Sequence, residues 1–275
     1  MRVRVVLVSG AGEGGGDRFA ALNATLPGRM SGTPDGSRRA AKRAPPPSPA
    51  PESERGWPRD ERRLAAVVID VLRATTTLTV AFAHGARRVI PVAGIEQAFA
   101  WRAREPGVLL CGEREGLKVP GFDLGNSPEE YHAEAVVGRT VVFASTNGSR
   151  AMLACAGCGV RLLGAFVNAS VVVDALKDRN YVRLQCAAKE GRFALEDAAC
   201  AGWLCEALAA RGARIEGDGA RLAAALAPRD TAAIHALVQG SAHGRTLRAL
   251  GPAFARDVEF CAGLDRIDRV FGFDA

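Results

Sequence analysis

The sequence predicts an α/β protein, a three-layer α/β/α fold on a mixed, largely parallel sheet. Three observations carry this. From Leu64 onward, short apolar runs bounded by Gly, Pro or polar residues alternate with stretches of helical period. The run Ala66-Val67-Val68-Ile69-Asp70-Val71 is apolar at both alternating positions, as a strand buried on both faces requires. Hydrophobic residues make up 48% of the 275, enough for the core of one large domain or two small ones.

In chain order, residues 3–8 read as a first strand. Gly10-Ala-Gly-Glu-Gly-Gly15 has the spacing of a dinucleotide turn, with a short helix over 17–26. Glycines are nearly continuous there and no return strand follows, so that reading is set aside. Residues 10–62 are rich in Pro, Gly, Ser and Arg, centred on Pro45-Pro-Pro-Ser-Pro-Ala-Pro51, and carry too little apolar surface to order themselves. The expected division is 1–9 as the first core strand, 10–62 as a disordered insertion, and 63–275 as the α/β domain.

Strand 65–71 enters a helix over 74–84 that Gly85 stops. Strand 86–92, a helix over 94–104 with Ile95, Ala98 and Phe99 on one face, and strand 107–111 follow. Residues 115–128 show little periodicity, and Ser127-Pro128 opens a short helix over 129–135. Next come strand 140–144, helix 151–156, strand 161–166, helix 169–176, strand 182–187 and helix 196–211. Helices over 221–226 and 230–237 precede a last helix or turn after Ser241. A shift of 74 residues lays 66–70 on 140–144, Arg73-Ala74-Thr75 on Asn147-Gly148-Ser149, and 89–92 on 163–166. This suggests two similar strand-turn-helix halves whose polar turns face one site at a topological switch point.

Composition excludes several classes. No apolar run approaches the ~20 residues that span a bilayer, and the N-terminus lacks a signal-peptide pattern, so a cytoplasmic protein without a membrane partner is expected. Of the net charge of +6, +5 falls in residues 1–63, which hold twelve Lys/Arg and seven Asp/Glu. The folded body is nearly neutral, so no specific nucleic-acid face is expected. Seven cysteines in apolar contexts read as reduced core residues; Cys155-Ala-Gly-Cys158 lacks the second pair that would complete a metal site.

Asp70 sits at the C-terminal end of a buried strand, followed by Arg73 and three threonines at a helix start. Helix N-terminal amides suit a phosphate, an arginine can clamp two of its oxygens, and the aspartate can hold Mg²⁺ or attack phosphorus. The alternative is an aspartate that only caps the helix. Glu113 and the loop from Glu190 to Asp197 are further acid-bearing turns after strands, with Arg73, Arg150 and Arg192 to balance an anionic substrate.

Several long motifs together resemble the 2-phosphosulfolactate phosphatase family. They are Val-Ile-Asp-Val-Leu-Arg-Ala-Thr-Thr-Thr (68–77), Gly-Glu-Arg-x-Gly-Leu-Lys-Val-Pro-Gly-Phe-Asp-Leu-Gly-Asn-Ser-Pro (112–128) and Ser-Thr-Asn-Gly-Ser-Arg-Ala (145–151). Asn-Ala-Ser (168–170), Glu-Gly-Arg-Phe-Ala-Leu-Glu-Asp (190–197), Ser-x-His-Gly-Arg (241–245) and Asp-Val-Glu-Phe-Cys-Ala (257–262) continue the series in order. Residues 10–62 depart from the family, which makes a shorter connection there. The resemblance implies a Mg²⁺-dependent phosphatase that converts 2-phospho-3-sulfolactate to 3-sulfolactate and phosphate, a step of the coenzyme M type, or one acting on another small phosphorylated acid.

The expected site follows from the turns and the resemblance together. Asp70, Arg73 and Glu196 are catalytic candidates. Thr75, Thr76, Asn126, Ser127, Thr146, Asn147, Gly148 and Arg192 are candidates for substrate or phosphate contacts, and Asp70, Glu113 and Asp197 for Mg²⁺. Each has a plainer alternative: first-turn caps for the threonines, an ordinary helix start for Asn126-Ser127-Pro128, dipole-favoured acids for Glu196 and Asp197. His243, Asp257 and Glu259 are weighed as loop or closing residues. The expected partner is a small anionic phosphorylated substrate, with a homo-oligomer allowed. The rival class is a non-catalytic module that binds a phosphorylated metabolite, its basic arm touching nucleic acid or an acidic partner; a third reading is phosphotransfer to an acceptor other than water.

Overall fold

The computed structural model describes residues 1–7 and 57–275. The glycine turn at 10–15, the helix at 17–26 and residues 10–56 of the expected insertion lie outside the described residues. After β1 (Arg2–Val6), the described chain resumes with a 3-10 turn (Glu61–Arg63), β2 (Ala65–Ile69), α1 (Ala74–Ala83), β3 (Arg88–Pro91) and α2 (Ile95–Arg104). The middle holds β4 (Leu109–Arg114), β5 (Leu117–Lys118), α3 (Ala133–Val136), β6 (Thr140–Ala144), α4 (Gly148–Leu153), β7 (Val160–Gly164) and α5 (Ala169–Ala175). The remainder is β8 (Tyr181–Cys186), α6 (Leu195–Ala209), β9 (Arg214–Ile215), α7 (Asp218–Ala225), α8 (Thr231–Gly240), α9 (Ala242–Ala249) and α10 (Pro252–Cys261).

The α/β layering holds, with the sheet divided in two. One sheet runs β7-β2-β8-β1-β9 and is parallel throughout. The other runs β3-β6-β4-β5, parallel except for the β4–β5 hairpin. Alternation along β2 explains its unbroken apolar sequence. Val67 and Ile69 pack with α5 and α6 residues such as Val172 and Leu204. Ala66 and Val68 pack toward Leu78, Met152 and Phe143 between the sheets. Val142 and Ala144 of β6 turn away, into a third cluster with Ala98 of α2.

The duplicated halves appear as an exchange. β2 and β7 pair in one sheet, β3 and β6 in the other. Each strand-helix-strand unit, β2-α1-β3 or β6-α4-β7, therefore starts in one sheet and ends in the other.

Several boundaries differ from expectation; α7 begins at Asp218 rather than 221, and the last helix or turn after Ser241 is two helices, α9 and α10. Residues 57–62 belong to the described core rather than to the insertion. The Trp57 indole N–H donates to Glu216 at 2.9 Å, its ring lies 4.2 Å from the Arg4 guanidinium, and Glu61 pairs with Arg183 at 3.0 Å. A Pro- and Arg-rich composition hides one anchoring tryptophan. The helix expected over 129–135 is a 3-10 turn (Pro128–Glu130) and then α3, because Tyr131 leaves helical geometry and its hydroxyl donates to the Gly125 carbonyl at 2.8 Å. α4 begins at Gly148 rather than 151.

β4 reaches β6 only because residue 112 lacks a side chain. Gly112 has φ +131°, and a Cβ there would lie 1.9 Å from the Ala144 carbonyl oxygen. Gly112→Ala combines a left-handed backbone with a main-chain clash, and is expected to cost roughly 2 kcal/mol or more in denaturant unfolding. A loss below ~0.5 kcal/mol would show that β4 can shift freely.

Candidate functional site

The strand β2 ends at Ile69 and delivers Asp70 into the turn before α1. Asp70 is 7% exposed. Its Oδ1 accepts the Ala74 N–H at 3.2 Å, and its own N–H donates to Thr75 Oγ1 at 2.9 Å. Its Oδ2 accepts no hydrogen bond from any described residue. The start of α4 lies against it: a Cβ on Gly148 would sit 2.7 Å from Asp70 Oδ2 and 2.5 Å from Ala74 Cβ. The two polar turns that the internal repeat suggested thus meet at this carboxylate, and only glycine at 148 lets them.

Three more acids surround the turn. Glu113 joins two strand ends, its Oε2 accepting the Gly116 N–H and its Oε1 the Thr146 N–H, each at 2.8 Å. Asp197, in the first turn of α6, accepts the Val71 N–H at 2.9 Å and the Ala188 N–H at 3.2 Å. It thereby ties the loop after β2 to the loop after β8. Glu196 Oε1 lies 3.2 Å from His243 Nδ1 on α9.

The electrostatics follow from burial and crowding. Burial pushes Asp70 up to about 6; Glu113 and Glu196 add repulsion, while His243 and the Ala74 N–H oppose it. Burial, then the charges of Asp70 and Glu196, push Asp197 well above the usual carboxylate range. Glu196 is also penalised by burial, but the hydrogen bond and charge of His243, with help from Ser241, hold it below its ordinary value.

Arg73 is buried and committed. Its Nη1 meets Asp257 Oδ2 at 2.5 Å, its Nη2 donates to the Gly116 carbonyl at 2.7 Å, and its guanidinium stacks 5.1 Å from the Phe254 ring centre. Asp257 Oδ1 accepts the Ser127 hydroxyl at 2.6 Å. Ser127 thus acts on Asp257 and, through it, on Arg73.

The threonines lean toward their plainer alternative. Thr75 Oγ1 lies 2.7 Å from the Gly164 carbonyl and 2.9 Å from that of Asp70. Thr76 Oγ1 donates to the Val71 carbonyl at 3.0 Å. Their hydroxyls serve the main chain and have no exposure, so a phosphate role for these side chains has no free donor. Two other candidates keep unspent groups: Asn126 Oδ1 and Thr146 Oγ1 are buried with no partner among the described residues. Asn147 Oδ1 accepts the Glu190 N–H at 2.8 Å, anchoring the hairpin that Lys189 and Arg192 close. Arg192 itself is exposed at that hairpin.

Among the described residues, no three His, Cys, Asp or Glu side chains converge to cage a metal ion. Mg²⁺ needs only one or two protein carboxylates, with water and substrate completing its shell. Asp70 Oδ2 is free, and the surrounding acids repel one another, so the donor set fits an open Mg²⁺ site better than a closed cage. Glu113 and Asp197 already hold two N–H groups each.

Sequence reasoning weighed His243 and Asp257 without choosing them. The Ser-x-His-Gly-Arg and Asp-Val-Glu-Phe segments were visible, but only folding joins His243 to Glu196, 47 residues away, and Asp257 to Arg73, 184 away.

Removing one partner of a buried ion pair strands the other charge. Asp257→Asn is therefore expected to cost about 3 kcal/mol in chemical denaturation, whereas Ser127→Ala, which leaves the pair intact, should cost ~1 kcal/mol. Equal losses would mean that the Arg73–Asp257 pair carries no special weight.

Comparison with known proteins identifies the family. The family described as 2-phosphosulpholactate phosphatase matches residues 53–274. A probable 2-phosphosulfolactate phosphatase of Carboxydothermus hydrogenoformans is 42% identical over 207 residues, covering 75% of this chain and 84% of the relative. One from Thermotoga petrophila is 42% identical over 200 residues, covering 73% and 85%. One from Synechococcus sp. (strain JA-2-3B'a(2-13)) is 38% identical over 211 residues, covering 74% and 86%. The family match runs over most of the chain, and relatives 42% identical cover about three quarters of it, so the chain belongs to the 2-phosphosulpholactate phosphatase family.

Proposed function

We propose that this protein is a Mg²⁺-dependent phosphoric monoester hydrolase. It acts on a small phosphorylated acid, foremost 2-phospho-3-sulfolactate, releasing 3-sulfolactate and phosphate as in a route to coenzyme M. The observation that carries the reading is Asp70: a buried carboxylate with one free oxygen, placed where the starts of α1 and α4 meet. Mg²⁺ held by Asp70, with Glu113 and Asp197 as further candidates, would neutralise phosphate charge as the P–O bond breaks.

The chain's own groups divide the work. The α1 and α4 starts offer main-chain dipoles to the phosphate. Asn126 and Thr146 have unspent buried polar atoms, which supports a role in contacting the substrate. Arg73 keeps three of its five N–H donors beyond the two already bound, and adds fixed positive charge. As an imidazolium, His243 would give its Nδ1–H to Glu196 and pass its Nε2 proton to the departing alkoxide oxygen, which leaves as a hydroxyl. Arg192, on the hairpin pinned to Asn147, suits the sulfonate or carboxylate end of the substrate.

Two routes fit Asp70: attack on phosphorus to give an aspartyl phosphate, or assistance to an attacking water. Acid quench of a single turnover with substrate labelled on its phosphoryl group separates them. Label carried by the protein and removed by hydroxylamine means the covalent route; label found only in free phosphate and substrate means water attack.

A panel of small phosphorylated acids, assayed with Mg²⁺ and with EDTA, tests the function itself. Release that EDTA abolishes is expected, strongest for substrates with a second anionic group. A folded protein that releases nothing is a binding module instead. Asp70→Asn is expected to lower kcat by at least ~10³-fold; retained turnover would remove Asp70 from either route.

The same substitution should stabilise the fold without divalent metal. A carboxyl whose folded pKa is raised from 3.8 to about 6 binds more protons folded than unfolded across that window. Its stabilising contribution is present at low pH and lost as pH rises toward 6. Above that the charged form carries the full penalty, ~2–3 kcal/mol. Urea melts at pH 4.5, 5.5 and 7.5 should show the variant's advantage growing to about pH 6 and then levelling. A constant difference would contradict the burial of this charge.

A further inference from the structure

α1 starts at the acid cluster, and its other end helps to form a separate cavity. Val80, Ala83 and His84 make one wall, Phe260 and Arg266 another, and Glu129 lies at the edge. The volume is about 550 Å³, within the ~300–1,000 Å³ of small-molecule sites. It shares no residue with the cluster around Asp70.

The charges on its rim do not cancel. Glu129 is drawn to Arg256, at 2.9 Å. Arg266 makes no ion pair with any described residue; its guanidinium lies 5.2 Å from the Phe260 ring centre. The His84 ring is held in place, its Nδ1 2.6 Å from the Tyr131 carbonyl oxygen. The cavity thus offers an apolar wall from Val80 and Ala83, an aromatic face, and one unneutralised arginine stacked on that face. A planar guanidinium of this kind pairs bidentately with a carboxylate while the ring beside it covers an apolar body.

We propose that this cavity is a second ligand site, for a small monoanionic carboxylate with a flat apolar body. The size argues for a small molecule over a polypeptide segment, and the unpaired arginine argues for an anion over a neutral ligand.

The test uses the full chain and the fluorescent probe 1-anilinonaphthalene-8-sulfonate, displaced by benzoate or by its neutral isostere benzamide. Saturable probe binding is expected, with benzoate displacing it at concentrations at least tenfold below benzamide. Arg266→Gln should erase that preference. Ala83→Phe, which fills the cavity, should abolish probe binding with circular dichroism and thermal midpoint unchanged. Equal competition by benzamide, or probe binding that survives Ala83→Phe, overturns the proposal. So does a wild-type dimer in sedimentation velocity that Ala83→Phe disperses, since a second copy would then be the occupant. If Ala83→Phe does not fold, the Arg266→Gln result decides alone.

Discussion

The buried guanidinium of Arg73 holds the site's surroundings in place. It is nearly inaccessible, its side chain 3% exposed against 2% for Asp257. Through one ion pair and one carbonyl contact it joins the start of α1, the β4–β5 turn and α10, and Asp257 extends the chain to Ser127. A charge in such a place is tolerable only when its partners are fixed, because the cost of leaving it unpaired is large. The same chain of contacts therefore sets the position of the end of β4, from which Glu113 projects, and of the loop that carries Asn126 and Ser127.

Polar groups near Asp70 divide into spent and unspent. Glu113, Asp197, Thr75, Thr76 and Asn147 give their hydrogen-bonding capacity to main-chain groups and so shape loops. Asn126 Oδ1 and Thr146 Oγ1, both buried, do not. Buried polar atoms without partners are uncommon in folded proteins because each forfeits a hydrogen bond that water would supply. Two of them, on the turns that carry Asn126 and Thr146, mark groups kept for a polar guest, at some cost to the stability of the protein alone.

Much of this was legible in the chain. Continuous apolar runs located β2, β6 and β8, and the Asp-Val-Leu-Arg-Ala-Thr-Thr-Thr turn located Asp70. The 74-residue repeat even anticipated that two turns face one another. Division into two sheets was not legible, because a run such as Ala65–Ile69 is equally apolar whichever neighbour it pairs with. Nor was the pairing of Glu196 with His243 or of Arg73 with Asp257: local periodicity carries no record of contacts 47 or 184 residues apart. Side-chain identity marked Thr75 and Thr76 as phosphate donors; only the positions of neighbouring carbonyls show their hydroxyls to be used.

The exchange of strands between the sheets has a further consequence. β2 and β3 are consecutive strands in different sheets, as are β6 and β7, and each finds its neighbour in the other unit. Peeling away either sheet would tear both units open, and removing either unit would leave both sheets with raw edges. Neither half is a structure without the other. The acid stands where the two units join: the start of α4 in one lies against Asp70 at the start of α1 in the other, so its surroundings are complete only when both sheets are.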